Sequence, residues 1–240
     1  MTEDRNWKGQ HLTVDILHAA AGVAQQILVR SDQTVVLFDC GDGALRDLLD
    51  NGSRPQQIDA LFITHGHYDH MGGLHSLLGF MRMTGRKTPF TIHAPAGCTE
   101  VRSAISGFLS CYPGSIPFDI QLVELESATS ISLADMEITP VAVVHCGSTA
   151  DTEVAEQIPA MAYRLTCHGE TVAISGDSGN CPSLIQLVKG ADLAIIEATF
   201  PEGAAISPEV LQRVHLTEDV ARQIGAQAKG FILVHRARKR

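Results

Sequence analysis

The segment His65-Gly66-His67-Tyr68-Asp69-His70 holds four potential metal donors within six residues. Imidazole nitrogens and a carboxylate suit Zn2+ and the neighbouring transition metals. His65 and His67, at i and i+2, can turn both rings to one side of an extended loop. Asp69 and His70 can then face a second metal beside the first. Gly66, Gly72 and Gly73 permit a tight turn and close helix packing. A single histidine here would ordinarily be a solvated loop residue. Four donors directly after the apolar run Leu61-Phe62-Ile63 point to metal instead.

Such a cluster needs elements to hold it. Short β-branched runs predict strands over 12–17, 26–30, 34–38, 60–63, 90–93, 120–124, 137–144, 162–166, 171–174, 193–196 and 231–234. Apolar periodicity predicts helices over 44–50, 74–83, 99–109, 183–188 and 218–228. Thr217 is placed to cap the last of these, with Glu218 and Asp219 in its acidic first turn. Hairpin-like strands followed by strand–helix alternation imply mixed sheets with helices outside. Asp39, His65, His145, Asp177, Glu197 and His235 all fall just after predicted strands, at the kind of edge where layered α/β proteins assemble sites.

The bulk numbers fit an enzyme of this kind. The 240 residues suffice for a large core, and we read 1–240 as a single domain. A net charge of −9 argues against a broad nucleic-acid face, for which only Arg82, Arg86, Lys87 and the tail Arg236-Ala237-Arg238-Lys239-Arg240 speak. No apolar run is long enough to span a bilayer, and residues 1–10 lack a signal-peptide core. The six cysteines form no CxxC pair and are read as reduced thiols of a cytoplasmic protein.

The HxHxDH run followed by Gly72-Gly73 resembles the signature of the metallo-β-lactamase fold superfamily, from about Leu12 to His235. The resemblance implies an α/β fold, a four-layer αββα sandwich of two mixed β-sheets, with the site at one edge. It implies two divalent metal ions, Zn by default with Mn or Fe as alternatives. His65, His67 and His145 would hold the first, Asp69, His70 and His235 the second, and Asp177 would bridge them. Asp39 would hold a ligand imidazole by its free N–H, while Asp42 belongs to the turn.

Three further stretches resemble the ribonuclease Z-like branch, which includes small phosphodiesterases and arylsulfatase-like members. They are Phe38-Asp39-Cys40-Gly41-Asp42-Gly43-Ala44-Leu45-Arg46-Asp47-Leu48-Leu49, Ala162-Tyr163-Arg164-Leu165 leading into Ser175-Gly176-Asp177, and Ala191-Asp192-Leu193-Ala194-Ile195-Ile196-Glu197-Ala198-Thr199-Phe200 followed by His215-Leu216-Thr217. In that branch the Glu orients the later His, which reaches the scissile group. Here these are Glu197 and His215, with Glu197 raising the pKa of His215. With Asp69 they are the expected catalytic residues.

Some features depart from tRNA-processing members. Tyr68 stands where Gly is usual, and 161–176 has only the short turn Cys167-His168-Gly169-Glu170 where a substrate-gripping arm is typical. The Ser/Pro-Arg-Tyr pattern after the final His is replaced by the basic tail. The segment 146–156 is long and is read as a lid or substrate wall, whose two glutamates disfavour a large polyanion.

The expected function is a dinuclear phosphodiesterase that attacks a small phosphodiester or an RNA end with a metal-bridging hydroxide. Hydrolysis of a sulfate ester, thioester or lactone is the alternative at the same metals, and a non-catalytic binding module a further one. A homodimer is the assembly the resemblance implies.

Overall fold

The computed structural model describes residues 5–148 and 153–237. Strands β1 (Asn6–Lys8), β2 (Thr13–Ala20), β3 (Ala24–Arg30), β4 (Val35–Phe38), β5 (Ala60–Phe62), β6 (Phe90–Pro95) and β7 (Ile120–Leu125) lie side by side in chain order as one sheet. The first four pair antiparallel, and β4 to β7 pair parallel. Parallel neighbours require crossovers, so helices α1 (Ala44–Asp50), α2 (Tyr68–Met71), α3 (Leu74–Met83) and α4 (Thr99–Cys111) fall between them.

The second sheet repeats the plan. Strands β8 (Ile131–Leu133), β9 (Met136–Ala142), β10 (Met161–Cys167), β11 (Glu170–Ile174), β12 (Leu193–Glu197) and β13 (Phe231–Val234) run in order from one edge to the other. The pairs from β8 to β11 are antiparallel and those from β11 to β13 parallel. Helix α5 (Pro182–Val188) crosses from β11 to β12, and α6 (Pro208–Arg213) and α7 (Glu218–Gly225) lie between β12 and β13.

Three apolar layers hold four structural ones. Val14, Ile27, Phe38 and Phe62 of the first sheet meet Ile138, Tyr163, Ile174 and Ile195 of the second in one inter-sheet core. Leu37, Leu61 and Ile92 point the other way, against Leu48, Leu77 and Phe108 of the outer helices. Ala173, Ala194 and Ile196 do the same against Leu184 and Ile224. Strand β12 is buried along its length, as a strand covered on both faces must be. This is the αββα sandwich that the resemblance implied.

Most expected elements recur with shifted ends, three match residue for residue, and four short strands and α-helices were missed: β1, β8, α2 and α6. The Asp69–His70 part of the metal motif lies beyond the extended stretch that carries His65 and His67. It forms the helical turn α2, with His67 in extended conformation at its N-cap. Thr217 occupies the N-cap position of α7, but its side chain makes no capping bond, and the helix stops at Gly225.

Candidate metal centre

The direction of the strands explains where the polar residues gather. The C-terminal ends of β4, β5, β9, β11, β12 and β13 open on one edge, where Met161 N donates to Thr64 O at 2.8 Å and so ties the sheets together. Asp39 follows β4, His65 follows β5, His145 follows β9 and Asp177 follows β11. Glu197 ends β12, and His235 follows β13. Two glycines make the approach possible. At Gly176, whose φ is +59°, a Cβ would lie 2.7 Å from Thr64 Cβ. One at Gly73 would collide with the carbonyl oxygen of Gly41.

The structure brings all seven expected ligands together. One donor atom from each of His65, His67, His145 and Asp177 lies within 4.8 Å of the others, and so does one from each of Asp69, His70 and His235. His65 Nε2 is 3.0 Å from His67 Nδ1, which is 3.3 Å from His145 Nε2. On the other side His235 Nε2 is 3.3 Å from His70 Nε2 and 3.2 Å from Asp69 Oδ2. Asp177 Oδ2 stands between the two groups, 3.8 Å from His65 Nε2 and 3.3 Å from His70 Nε2.

The outward contacts decide which nitrogens carry protons. His145 Nδ1 is 2.8 Å from Val214 O, a carbonyl that can only accept, so Nδ1 is protonated and Nε2 bears a lone pair. His70 Nδ1 likewise donates to Asp39 Oδ2 at 2.8 Å. Thr64 Oγ1 donates its single proton to the Asp39 carboxylate and therefore accepts from His65 Nδ1 at 3.1 Å. Thr199 Oγ1 donates to Glu197 Oε2 and accepts from His235 Nδ1 at 3.0 Å. In their neutral forms His65, His145 and His235 thus turn Nε2 lone pairs into a buried space with carboxylates on two sides, and His70 turns its Nε2 to the same space.

That arrangement fits a cation and little else. Asp177 Oδ1 is buried without a hydrogen-bond partner among the described residues. Burial opposes charge on His70, yet Asp177 and Asp39 hold its pKa well above the ordinary value. Burial and neighbouring imidazoles keep His65 well below it, and burial brings His145 down to about 3. The pocket therefore demands positive charge while suppressing protonation of several of its own nitrogens, the condition that divalent ions satisfy.

Beside this cluster sits a second pair. His215 Nδ1 donates to Glu197 Oε1 at 3.0 Å, and its side chain is 15% exposed while Glu197 is fully buried. Glu197 is held by the backbone N–H groups of Thr199 and Leu216. Burial opposes charge on His215, but Glu197 more than offsets this and the pKa rises to about 9. Thr64 and Thr199 are the functional residues that the sequence reading passed over. Each hydroxyl sits between a carboxylate and an imidazole. Tyr163, buried in the inter-sheet core, donates from its hydroxyl to Ile63 O at 2.6 Å and braces the strand leading into His65.

Two expectations are narrowed. Arg86 is buried, and its guanidinium donates to the carbonyls of Gln56, Ile58, Thr88 and Pro89, so it is not available to nucleic acid. In the segment 146–156 the flanks close on each other through Gly147 N to Glu156 O at 3.1 Å. Its residues 149–152, like the tail's 238–240, lie outside the described residues.

Residues 34–235 match the Beta-lactamase superfamily domain, and the chain belongs to that superfamily. Within it, the relatives are of the ribonuclease Z type. The chain is 28% identical to ribonuclease BN of Enterobacter sp. (strain 638), over 82% of this chain and 76% of the relative. It is 26% identical to ribonuclease Z of Methanothermobacter thermautotrophicus, over 87% and 79%. The fold of the short form of human tRNase Z superposes with a TM-score of 0.76 at 23% identity, covering 94% of this chain and 93% of the other.

Proposed function

We propose that this protein is a dinuclear metal-dependent phosphodiesterase. His65, His67 and His145 would hold one ion, Asp69, His70 and His235 the other, with Asp177 between them. The observation that carries this reading is the convergence of lone pairs on a buried carboxylate with the Glu197–His215 pair alongside. Two divalent ions there supply Lewis acidity towards phosphoryl oxygen and activate water at neutral pH. Zn2+ is the proposed metal, and Mn2+ or Fe2+ suits the same donors.

The chain's own residues do the remaining work. Asp39 and Thr64 fix the rings of His70 and His65, and Thr199 fixes His235. Glu197 anchors Nδ1 of a protonated His215. The other ring N–H is left to stabilise charge on a non-bridging oxygen or to protonate the leaving oxygen.

The substrate proposed is a small phosphodiester or an RNA end. The relatives' names support a phosphodiester, and exposed Glu153 and Glu156 beside the segment 149–152 disfavour a long polyanion. Among the described residues no helix is long and apolar enough to cross a membrane. The free cysteines suit the reducing cytoplasm. A homodimer is the proposed assembly, testable by light scattering. A panel of bis(p-nitrophenyl) phosphate, an aryl sulfate, a thioester and a lactone tests the reaction class. The phosphodiester should be turned over best, and preference for any of the other three would replace this reading.

A further inference from the structure

At the end of the sandwich opposite the metal centre, three loops meet. Asp135 lies in the β8–β9 turn, Cys167 and His168 lie at the β10–β11 turn, and Ser31 and Thr34 lie between β3 and β4 of the other sheet. A donor atom from each of Asp135, Cys167 and His168 lies within 4.8 Å of the other two. Cys167 Sγ is 3.7 Å from Asp135 Oδ2. Asp135 Oδ1 accepts from Ser31 Oγ at 2.6 Å and Thr34 Oγ1 at 2.8 Å. The carboxylate is thereby fixed with its second oxygen towards the sulfur, as outer hydrogen bonds fix carboxylates that ligate metals.

A further donor stands alongside. His11, from the segment between β1 and β2, has its ring centroid 5.0 Å from that of His168. In the main centre, His67–His145 and His70–His235 are each separated by 5.1 Å. One sulfur, one carboxylate and one imidazole, with the His11 ring beside them, are the donor types that suit a thiophilic divalent cation, softer than the oxygen sets that Ca2+ or Mg2+ requires.

We propose that Asp135, Cys167 and His168 bind a divalent cation of the Zn2+ class, with His11 beside them for the fourth position. The site is separate from the catalytic pair; its thiolate signature is independent of the function proposed above, while the count of equivalents and the activity readout rest on that reading. On binding, the Cys167 thiol releases its proton to solvent and the sulfur bonds the metal. Because Asp135 is already tied to Ser31 and Thr34, the ion staples the two sheets together at the end away from the chemistry. It is a structural ion, and it leaves turnover unchanged.

Co2+ distinguishes the two centres directly. The main pocket contains no thiol, so a thiolate-to-Co2+ charge-transfer band can arise only where a cysteine ligates. Metal-free protein titrated with Co2+ should bind three equivalents and develop that band. Cys167→Ser should bind two equivalents and lack the band while retaining phosphodiesterase activity. His168→Asn preserves the left-handed turn, where φ is +49° at position 168, because asparagine adopts that conformation readily. It should weaken the band-forming site by tenfold or more. The Zn2+-induced rise in melting temperature should be larger in wild type than in Cys167→Ser by at least about 2 °C. No band at saturating Co2+, or a band that survives in Cys167→Ser, overturns the proposal.

Discussion

Thr199→Val isolates the part of the centre that no spacing rule exposes. Valine keeps the side-chain shape and removes the hydroxyl that lies 3.0 Å from His235 Nδ1 and 2.9 Å from Glu197 Oε2. His235 is buried, so its Nδ1–H loses its hydrogen-bonded acceptor with little access to water, and the nearest remaining oxygen, Asp177 Oδ1, lies 3.4 Å away. Leaving a buried donor unpaired costs about 1–3 kcal/mol. Releasing the tautomer that presents Nε2 inward acts in the same direction. Since about 1.4 kcal/mol is tenfold, this corresponds to roughly 10- to 100-fold weaker binding of one ion, the range seen when an outer partner of a metal ligand is removed. Only the ion on the Asp69–His70–His235 side should be affected, because Thr199 does not touch His65, His67 or His145. Competition against a chromophoric chelator reads both affinities. Thr199→Ser, which restores the hydroxyl, should recover the lost affinity. Unchanged metal affinity in Thr199→Val, or equal weakening in the valine and serine variants, would refute the tautomer argument.

Other substitutions separate the remaining roles. Asp69→Ala should abolish hydrolysis and most occupancy of the second ion, read by elemental analysis; full occupancy would remove Asp69 from the ligand set. His215→Ala should lower kcat by about 10²- to 10⁴-fold with metal content preserved; loss of an ion would make His215 a ligand instead. His93 tests the core. Its ring stacks on Phe62 at 4.4 Å, and burial brings its pKa from 6.5 down to about 4. Between those values the unfolded chain binds the proton that the folded one refuses, so stability falls as pH drops through that window, by up to about 3 kcal/mol. In metal-free His93→Gln the decline measured by urea unfolding should be shallower by that amount, and parallel curves would contradict it.

Much of the site was legible because its donors are unusual residues at strand ends. His145, Asp177 and His235 are far apart in sequence, but each follows an apolar run, and β9, β11 and β13 all run towards one edge: the two antiparallel reversals through β10 give β11 the direction of β9, and parallel crossovers keep it for β13. Helices at 44–50 and 74–83 and the strand at 231–234 were readable residue for residue, since their apolar faces have clear periods. The missed elements lack that signal. Strand β1 is a short polar edge, β8 has only three residues, and α2 is one helical turn made of the metal motif itself. Helix α6 did carry a signal, since Ser207 caps it by accepting from Val210 N and Pro208 opens it, but six residues give too little periodicity. Thr64 and Thr199 escaped because a hydroxyl's role depends on which carboxylate takes its proton, and only coordinates show that. The Asp135–Cys167–His168 cluster escaped for a related reason. Asp135 comes from a different turn than Cys167 and His168, and His11 lies more than a hundred residues from His168.

The central claim is that the His/Asp pocket holds two ions and uses them for phosphodiester hydrolysis. It is tested most directly by metal analysis of the Cys167→Ser protein, which retains only the main centre, together with hydrolysis of bis(p-nitrophenyl) phosphate with and without a chelator. Two ions per chain, with turnover that disappears on chelation and returns on adding Zn2+ or Mn2+, is the expected result. A protein that binds no ions, or turnover indifferent to the chelator, would contradict the account.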